Sequence, residues 1–433
     1  MFNTLFVGID ISLKTATCCF LNQEDKHHGK PFDVDNNLTG FEDLKQKITA
    51  LCQVKQYDLV RIGLEATSMY GFHLLNYFSN ATIDGVKFQV YQINAKYINR
   101  FKKAFPEKEK TDPVEARVIA EYLRFGKLPV EFKPEDPYLP LQRLVRYRYH
   151  LAKAIEKEKK LYLANLFLKF PGWVQNKPVK NLGKTSLEIT TEFTLDQLIE
   201  MPLEELALFV AKAGKNRSPD PTGIASEIQK AARESYKIRP ELSSSVTFIL
   251  ASIYKTISAL KDCLKQLDKA ILQESKGFIN PLISVKGIGP VYAIGILSCV
   301  GDVKRFASHD QLARMAGLTW KRKQSGKFQS EETRLVRECD KYLRYYLVEA
   351  ANSLRMHNEK YQIYYQKKYQ EVHKHQHKRA IVLTARKLVR LVFAMLSNNQ
   401  LYDPLRGSQS PRLIESPQIC QRANLSAGSC GQV

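Results

Sequence analysis

The stretch Leu5 to Ser12, LFVGIDIS, is almost unbroken in apolar residues and carries one acidic residue, Asp10, near its end. This pattern predicts a buried β-strand. Thr15 to Leu21 and Gly29 to Val34 predict two more strands, and together the three would form an antiparallel meander. The chain therefore begins with a sheet that brings a carboxylate to the end of its first strand.

Beyond the meander, helix and strand patterns alternate. Thr39 to Cys52 has apolar residues at helical spacing, and Leu59 to Ala66, LVRIGLEA, predicts another buried strand, which ends on Glu65. A helix from Ser68 through Phe78 and a fifth strand, Val86 to Ile93, follow. Three strands, then helix, strand, helix and strand, indicate an α/β domain.

Acidic residues recur at the ends of the apolar strands and at the start of a helix. Asp10 and Glu65 lie on neighbouring strands, where an unpaired charge is costly and needs a cation or a metal. Asp112 and Glu115 enter the predicted helix Val114 to Phe125 three residues apart, and so share one helix face. Four hard oxygen ligands from two strands and a helix suit a pair of Mg²⁺ ions that assist phosphoryl transfer.

A structural explanation competes for the helical pair of acids. Asp112 could be the N-cap of the helix, Pro113 its first residue, and Glu115 the third residue that reaches back in a capping box. That arrangement would account for both acids without any metal. Asp10 and Glu65 have no comparable explanation, because strand interiors rarely carry unpaired acids.

Three motifs in this region resemble the N-terminal domain of DEDD-type insertion-sequence transposases: GIDIS at Gly8 to Ser12, GLEATSMYG at Gly63 to Gly71 and KTDPVEA at Lys110 to Ala116. The resemblance implies a ribonuclease-H-like fold close to the Holliday-junction resolvase RuvC. It also implies a set of catalytic Mg²⁺ ligands, of which the fourth, normally aspartate, is glutamate here: Asp10, Glu65, Asp112 and Glu115.

The composition indicates a polyanionic partner. Lys and Arg total 66 against 44 Asp and Glu, which gives a net charge of +22 and a pI near 9.5, and nucleic acid is the first candidate. The eight cysteines include no C-x-x-C pair, which argues against zinc and a disulfide framework and fits a reducing cytoplasm. No run approaches 18 apolar residues and no signal peptide is recognisable, so we expect no membrane association and a cytoplasmic, prokaryotic protein.

A basic segment lies directly before the acidic helix. Its members could hold a nucleic-acid backbone near the metals, and the principal ones are Lys96, Arg100, Lys102 and Lys103. The alternative is an ordinary solvated helix face.

The middle of the chain is helical. Asp136 to Phe170 and Leu242 to Ser275 both have long helical patterns, which suit an antiparallel coiled coil or a dimer seam. We predict a metal-binding catalytic domain over residues 1–134, a helical linker and oligomerisation region over 135–276, a mostly α C-terminal domain over 277–400, and a loose tail over 401–433.

Two features of the C-terminal region suit contact with phosphates. Pro281 to Gly301 predicts a helix-hairpin-helix, in which Gly287 and Gly289 would allow backbone N–H groups to meet a phosphate; a plain apolar core is the alternative. Further on, Ser325-Gly326 lies in a strongly basic, hairpin-like segment with these cations: Lys321, Arg322, Lys323, Lys327, Arg334 and Arg337. A small hydroxyl beside a glycine and ringed by cations suits a nucleophile for a phosphodiester, although Ser-Gly is also a common surface turn.

The order of motifs in this region resembles the C-terminal domain of the same transposases. It runs through Gly301-Asp302, Arg305-Phe306, Ala316-Gly317-Leu318 and Ser325-Gly326. The resemblance implies that Ser325 is the nucleophile. The sequence departs from the family at Trp320, where proline is usual, and over Val336 to Asp340.

The two resemblances together imply a DNA transposase or recombinase that cuts and rejoins double-stranded donor and target DNA through a phosphoserine. They further imply a dimer or tetramer whose protomers share each site, and a structured noncoding guide RNA that pairs with both DNAs, so that base pairing reads the sequence. Two rival hypotheses remain. One is a metal-dependent junction nuclease in which water attacks, and the other is a non-catalytic nucleic-acid scaffold.

Overall fold

The computed structural model describes residues 2–66, 69–103, 111–126, 128–216, 219–321, 324–325, 328–329, 334–336 and 338–403. Several predictions fall outside these ranges: a helix start at Ser68, the cations Arg322, Lys323, Lys327 and Arg337, and most of the tail. The chain divides into two compact units, Met1–Pro137 and Tyr138–Val433. The predicted helical middle and C-terminal domain both lie in the second unit, and the boundary between them stays a prediction.

The first unit is built on one mixed five-stranded sheet. Its strands are β1 (Thr4–Ile11), β2 (Thr15–Leu21), β3 (Phe32–Asp35), β4 (Leu59–Glu65) and β5 (Lys87–Ile93), in the order β3-β2-β1-β4-β5. The first three are antiparallel, whereas β4 and β5 run parallel to β1. The α/β prediction and the meander are confirmed. The third strand begins three residues later than expected, because the chain bends at residues 28–30, where Gly29 has φ +85°.

Helices cover both faces of this sheet. They are α1 (Leu38–Lys55), α2 (Phe72–Ser79), α3 (Ala95–Lys102) and α4 (Asp112–Phe125). One core joins α1 and α2 to the sheet through residues such as Leu44 and Leu74, and a second joins α3 and α4 to it through Ile98 and Ile119. Helix α2 begins at Phe72, and described residues 69–71 before it form a bend and turn, so this helix is shorter than predicted.

Two long antiparallel helices organise the second unit. They are α5 (Leu139–Lys169) and α11 (Pro240–Glu274). Arg148 near the start of α5 pairs with Asp268 near the end of α11 at 2.6 Å, while Lys169 at the end of α5 reaches Thr247 near the start of α11 at 2.6 Å. The two long helices are antiparallel neighbours within one chain, which is one of the two arrangements that the sequence left open, and the oligomerisation role of this region stays a prediction.

Five short helices pack around one end of this pair: α6 (Pro171–Asn176), α7 (Lys184–Glu192), α8 (Leu195–Glu200), α9 (Leu203–Ala213) and α10 (Pro221–Arg233). They share a core with the end of α5 and the first half of α11, which contains Tyr162, Trp173, Ile228 and Leu250. This core is separate from the one at the other end of the pair, to which α5 contributes Leu141 and its neighbours.

The C-terminal core is also helical. It contains α12 (Pro290–Val300), α13 (His309–Met315), α14 (Lys341–His357), α15 (Glu359–Gln370) and α16 (Gln376–Asn398), with the start of α5 and the end of α11. Four two-residue strands lie between α13 and α14: β6 (Trp320–Lys321), β7 (Gln324–Ser325), β8 (Phe328–Gln329) and β9 (Arg334–Leu335). Within the described ranges, no helix combines the length and apolarity that crossing a membrane requires.

The predicted helix-hairpin-helix is only half helical. Its first segment is a single 3₁₀ turn, Pro281–Ser284, capped by the side chain of Asn280. The segment before Gly287 is too short for an α-helix, since Pro281 opens it and the chain turns after Val285. The second segment is α12, as expected.

Candidate functional site

A glycine two residues before each strand acid makes room for helix α4. A Cβ atom on Gly8 would lie 2.1 Å from the backbone oxygen of Ala116 and 2.3 Å from the backbone nitrogen of Ala120. Residues two apart in a strand point to the same face, so Asp10 shares the α4 face with Gly8. Strand β1 therefore contacts α4 at Gly8 and presents the carboxylate of Asp10 two residues later on the same face.

Strand β4 repeats this arrangement. A Cβ atom on Gly63 would meet the side chain of Leu123 in α4 at 2.8 Å, and Glu65 follows two residues later on the same face. The two strands are parallel neighbours with Ile9 opposite Leu64. Asp10 and Glu65 thus lie side by side at the carboxyl ends of adjacent strands, as the sequence predicted.

Helix α4 contributes the other two acids from its first turn. Asp112 is the first helical residue, and the N-cap is Thr111, which makes no side-chain capping bond. The capping-box alternative is therefore wrong for Asp112 and Glu115, because neither occupies the position it requires. Negative charge at this end of a helix is favourable, since the unpaired N–H groups there carry partial positive charge.

The four acids share one electrostatic environment. Burial, followed in order of size by the negative charges of Glu115, Asp112 and Glu65, raises the pKa of Asp10 to about 6. A backbone hydrogen bond from Ile11 opposes the rise. The fold therefore gathers four carboxylates closely enough for their mutual repulsion to be felt at Asp10.

Glu115 is held by a lysine of the neighbouring helix. Lys102 Nζ of α3 lies 3.4 Å from Glu115 Oε1, and both side chains are about four-fifths buried. Across the described residues, no three His, Cys, Asp or Glu side chains stand together as a ready metal site. The donor set nevertheless fits a divalent cation in its chemistry: hard carboxylate oxygens whose repulsion a cation would relieve.

The other predicted cations of this segment face solvent. Lys96, Arg100 and Lys103 are exposed and recur at helical spacing on α3 and its end, whereas Lys102 turns towards Glu115. Three of the four basic residues therefore lie where a polyanion can reach them.

Ser325 lies on a short antiparallel ladder. It pairs with Phe328, and Gln324 pairs with Gln329. A second ladder, Trp320 with Leu335 and Lys321 with Arg334, forms the base of the same segment. The backbone thus supports the predicted hairpin, while Lys321, Ser325 and Arg334 are described only as strand backbone.

The base of the hairpin is tied to α13 and α14. Val336 N donates to Thr319 O at 2.9 Å, and Asp340 N donates to Met315 O at 2.8 Å. Arg344 of α14 donates to the carbonyl oxygens of Ala316, Gly317 and Val336, at 3.1, 2.6 and 2.5 Å. The role of Arg344 was not predictable from the sequence, because its partners are backbone carbonyls, which every residue type carries.

The predicted glycine pair has two different surroundings. Gly287 has φ +103°, and a Cβ atom there would press on Leu354 and His357 of α14 at 3.2 Å. Gly289 is the N-cap of α12 and is open, with only Tyr292 at 4.0 Å. Packing against α14 explains why residue 287 is a glycine, and phosphate contacts by the amides of Gly287 and Gly289 both stay predictions.

Two family models match the chain, one over its N-terminal part and one over its C-terminal part. A model for DEDD transposases of IS110 elements, described as "Transposase", matches residues 7–171. A second, described as "Transposase IS116/IS110/IS902 family", matches residues 280–366. The first match includes all four acids, and the second includes the hairpin that carries Ser325.

Curated relatives are similar over long segments. An insertion element IS116 uncharacterized 44.8 kDa protein of Streptomyces clavuligerus is 25% identical over 321 residues, which cover 73% of this chain and 78% of that protein. An insertion element IS900 uncharacterized 42 kDa protein of Mycobacterium paratuberculosis is 27% identical over 228 residues, 52% of this chain and 55% of that protein.

Proposed function

Because the chain belongs to the DEDD transposases of insertion sequences, we propose that it cuts and rejoins DNA with a serine nucleophile and a divalent-metal site. The observation that carries the proposal is the convergence of Asp10, Glu65, Asp112 and Glu115 in one domain. The hairpin that bears Ser325, in the second matched region, supports it.

The chemistry assigned to Ser325 is a transesterification. Its Oγ gives up the hydroxyl proton and forms a bond to phosphorus, the bond from phosphorus to the 3′ oxygen breaks, and the released 3′ oxygen takes up a proton to become a hydroxyl. The product is a 5′-phosphoserine, which conserves the phosphodiester energy, so rejoining by a new 3′-hydroxyl needs no other reactant.

The four carboxylates would hold Mg²⁺, and two ions per site suit their number. When bound, Mg²⁺ would polarise the phosphate and stabilise the leaving oxygen. To bind Mg²⁺, Glu115 would first have to break its ion pair with Lys102. Cations on the hairpin, among them Lys321 and Arg334, would balance charge on the phosphate oxygens.

The proposed partners are donor and target duplex DNA, a second copy of the chain and a structured noncoding RNA. The net charge of +22 supports a polyanionic partner. A guide RNA transcribed from the flank of the element would read DNA by base pairing. To test this, the protein is expressed together with the noncoding flanks of its native locus and purified, and any bound RNA is sequenced. One abundant RNA from a flank supports the guide, whereas only random RNA released by high salt contradicts it.

Recombination of a plasmid that carries the native element ends tests the chemistry. We expect Ser325→Ala and Asp10→Asn each to abolish recombination and Ser244→Ala, at an exposed position on α11, to leave it unchanged. A denaturing gel should show a covalent protein–DNA adduct that Ser325→Ala lacks. If Ser325→Ala still cleaves and Asp10→Asn does not, the protein is a junction nuclease. If the wild-type protein binds the DNA but neither cleaves nor recombines it, so that neither variant matters, the protein is a scaffold.

A further inference from the structure

A patch of tyrosines and cations lies where α5 meets the start of α14. The two helices are joined there by Tyr346 Oη, which donates to Val145 O at 2.7 Å in the buried core. Beside this contact, five side chains form what we call the tyrosine patch: Arg146, Tyr149 and His150 of α5, and Lys341 and Tyr342 of α14. Among the described residues, this patch is a concentration of aromatic and basic groups that the proposed chemistry does not use.

The rings of the patch hold each other in place. Tyr149 meets Tyr342 edge to face with ring centroids 5.1 Å apart, and His150 Nε2 lies 3.2 Å from Tyr342 Oη. The Tyr149 and Tyr342 side chains are half-buried. Two rings that are fixed in this way lose little conformational entropy when another flat group packs on them.

Two cations lie over these rings, and within the described ranges neither forms a salt bridge. The Arg146 guanidinium is 5.4 Å from the centroid of Tyr342, and Lys341 Nζ is 5.0 Å from the same ring and 5.8 Å from Tyr149. The nearest acid along the chain, Asp340, accepts the backbone N–H groups of Tyr342 and Leu343 at 2.8 and 2.9 Å. That carboxylate therefore caps α14.

The cationic side of the patch is crowded, and one of its donors is unsatisfied. Arg146 Nε is buried and has no hydrogen-bond partner within the described chain. Burial and then the charge of Arg146 lower the pKa of the neighbouring Arg143. Positive charges are thus held close together beside half-buried aromatic rings. Such a surface suits a ligand that carries negative charge and also has a flat face that can stack on a ring.

A single nucleic-acid strand brings both. Its phosphates meet Arg and Lys side chains while its unpaired bases stack on aromatic rings. A duplex brings only the phosphates, because its bases already stack on each other. The combination of rings and cations thus favours an unpaired strand over a duplex.

The position of the patch favours DNA. Lys341 begins α14 only a few residues after β9, the last strand of the segment that bears Ser325, and Asp340 N is bonded to Met315 O at the base of that segment. We propose that the tyrosine patch binds unpaired DNA nucleotides next to the scissile phosphate, stacking a base on Tyr342 and holding phosphates with Arg146 and Lys341. This rests on the proposed role of Ser325.

Fluorescence anisotropy with labelled (dT)₂₀ and with a (dT)₂₀–(dA)₂₀ duplex tests the patch in the full-length protein. Tyr342→Ala should weaken (dT)₂₀ binding by about tenfold or more, the loss expected for one stacked base, and leave duplex binding nearly unchanged. Tyr342→Phe keeps the ring and should bind like the wild type. The matched control is Tyr236→Ala, at an exposed tyrosine outside the patch.

The cations are tested by salt dependence. Lys341 is exposed, so Lys341→Gln should fold normally and should lower the slope of log affinity against log salt by about 0.7 for (dT)₂₀. Lys261→Gln, an exposed lysine on α11, is the control for charge alone and should alter this slope less.

The proposal is wrong if Tyr342→Ala and Lys341→Gln bind (dT)₂₀ as the wild type does, or if Tyr342→Ala loses as much affinity for the duplex as for (dT)₂₀. It is also wrong if Tyr236→Ala loses as much affinity for (dT)₂₀ as Tyr342→Ala does. If Tyr342→Ala loses more affinity for (rU)₂₀ than for (dT)₂₀, the patch binds RNA instead. The serine chemistry is judged separately, because Ser325→Ala should bind (dT)₂₀ like the wild type while it forms no covalent adduct.

Discussion

The Arg344 guanidinium group donates a 2.6 Å hydrogen bond to the carbonyl oxygen of Gly317. The approach is so close that a Cβ atom on Gly317 would overlap the guanidinium, 2.1 Å from Nη2. Gly317 also has φ +63°, a conformation that favours glycine. The same guanidinium holds Ala316 and Val336, and so joins the chain entering the Ser325 hairpin to the chain leaving it.

Replacing Arg344 by lysine should misplace the hairpin without unfolding the domain. Lysine presents one compact ammonium instead of a planar fork, so it cannot serve three carbonyls in this geometry. We expect the rate of covalent adduct formation to fall on the order of 100-fold, as for a small displacement of a reacting group, with helical content retained. Arg390→Lys, at an exposed position on α16, is the control. A wild-type rate in Arg344→Lys would show that these bonds do not position Ser325.

Gly8→Ala should separate α4 from the sheet. The added methyl group would meet backbone atoms of Ala116 and Ala120 at 2.1 and 2.3 Å, and backbone cannot rotate away as a side chain can. We expect loss of stability of about 3 kcal/mol or more, in line with severe overpacking, and weaker Mg²⁺ binding by isothermal titration. Gly277→Ala, where nothing lies within 4 Å, should change neither. Unaltered Mg²⁺ affinity in Gly8→Ala would separate the packing of α4 from the metal site.

Asp10→Asn should stabilise the metal-free protein at pH 8. The pKa of Asp10 is about 6 in the folded protein, above its ordinary 3.8, so folding becomes less favourable as pH rises through that window, and the loss persists above it. Partial exposure screens the charge, so the gain should be about 1 kcal/mol. Thermal melts in EDTA at pH 8 and pH 4 should show a higher midpoint only at pH 8.

Adding Mg²⁺ should reverse the order of these two proteins, because the cation stabilises only the form that binds it. The control is Asp84→Asn, at an exposed position of the same unit, which should melt like the wild type in every condition. A lower midpoint for Asp10→Asn in EDTA at pH 8 would refute the repulsion that we infer among the four acids.

Because of Lys169, the free energy of unfolding of the core around Trp173 should rise as the pH is raised above about 8. The lysine is buried, its Nζ donates to Thr190 O and Thr247 Oγ1 at 2.5 and 2.6 Å, and burial lowers its pKa to about 8. The unfolded chain therefore binds the proton more tightly between pH 8 and the ordinary 10.5, and stability rises with pH through that range. The full effect is about 3 kcal/mol.

Lys169→Met should abolish this rise. Trp320→Phe leaves Trp173 as the single tryptophan, so its fluorescence reports urea unfolding of this core at pH 7.5 and pH 10 in both proteins. Lys212→Met, an exposed lysine on α9, should keep the rise. A parallel increase in wild type and Lys169→Met would trace the pH dependence to other groups.

The sheet and the first two acids were predictable because local patterns determine them. Asp10 and Glu65 end apolar strands, and each follows a glycine by two residues, Gly8 and Gly63. That repeat was visible in the sequence but its meaning was not. Only the approach of α4 shows that both glycines make room for the helix and that both acids must face it.

Long-range contacts escaped prediction. Arg344 bonds carbonyls 28 and 27 residues earlier in the chain, and carbonyls are common to all residues, so no sequence pattern marks them. The nucleic-acid contact of Lys102 stays a prediction, but its pairing with Glu115 was not predicted, because it depends on the fold bringing the end of α3 beside the first turn of α4. The capping-box interpretation is wrong by one residue. It placed the N-cap of α4 at Asp112, whereas the N-cap is Thr111.

The length of the helix pair α5 and α11 determines how far apart the two hydrophobic cores of the second unit lie. An α-helix rises 1.5 Å per residue, so the 31 residues of α5 span roughly 46 Å, with one hydrophobic core at each end. The separation of those cores is therefore a property of chain length and not of any one contact. Matched insertions or deletions of whole heptads in both helices keep the apolar faces in phase, so they would alter that span while leaving each core intact.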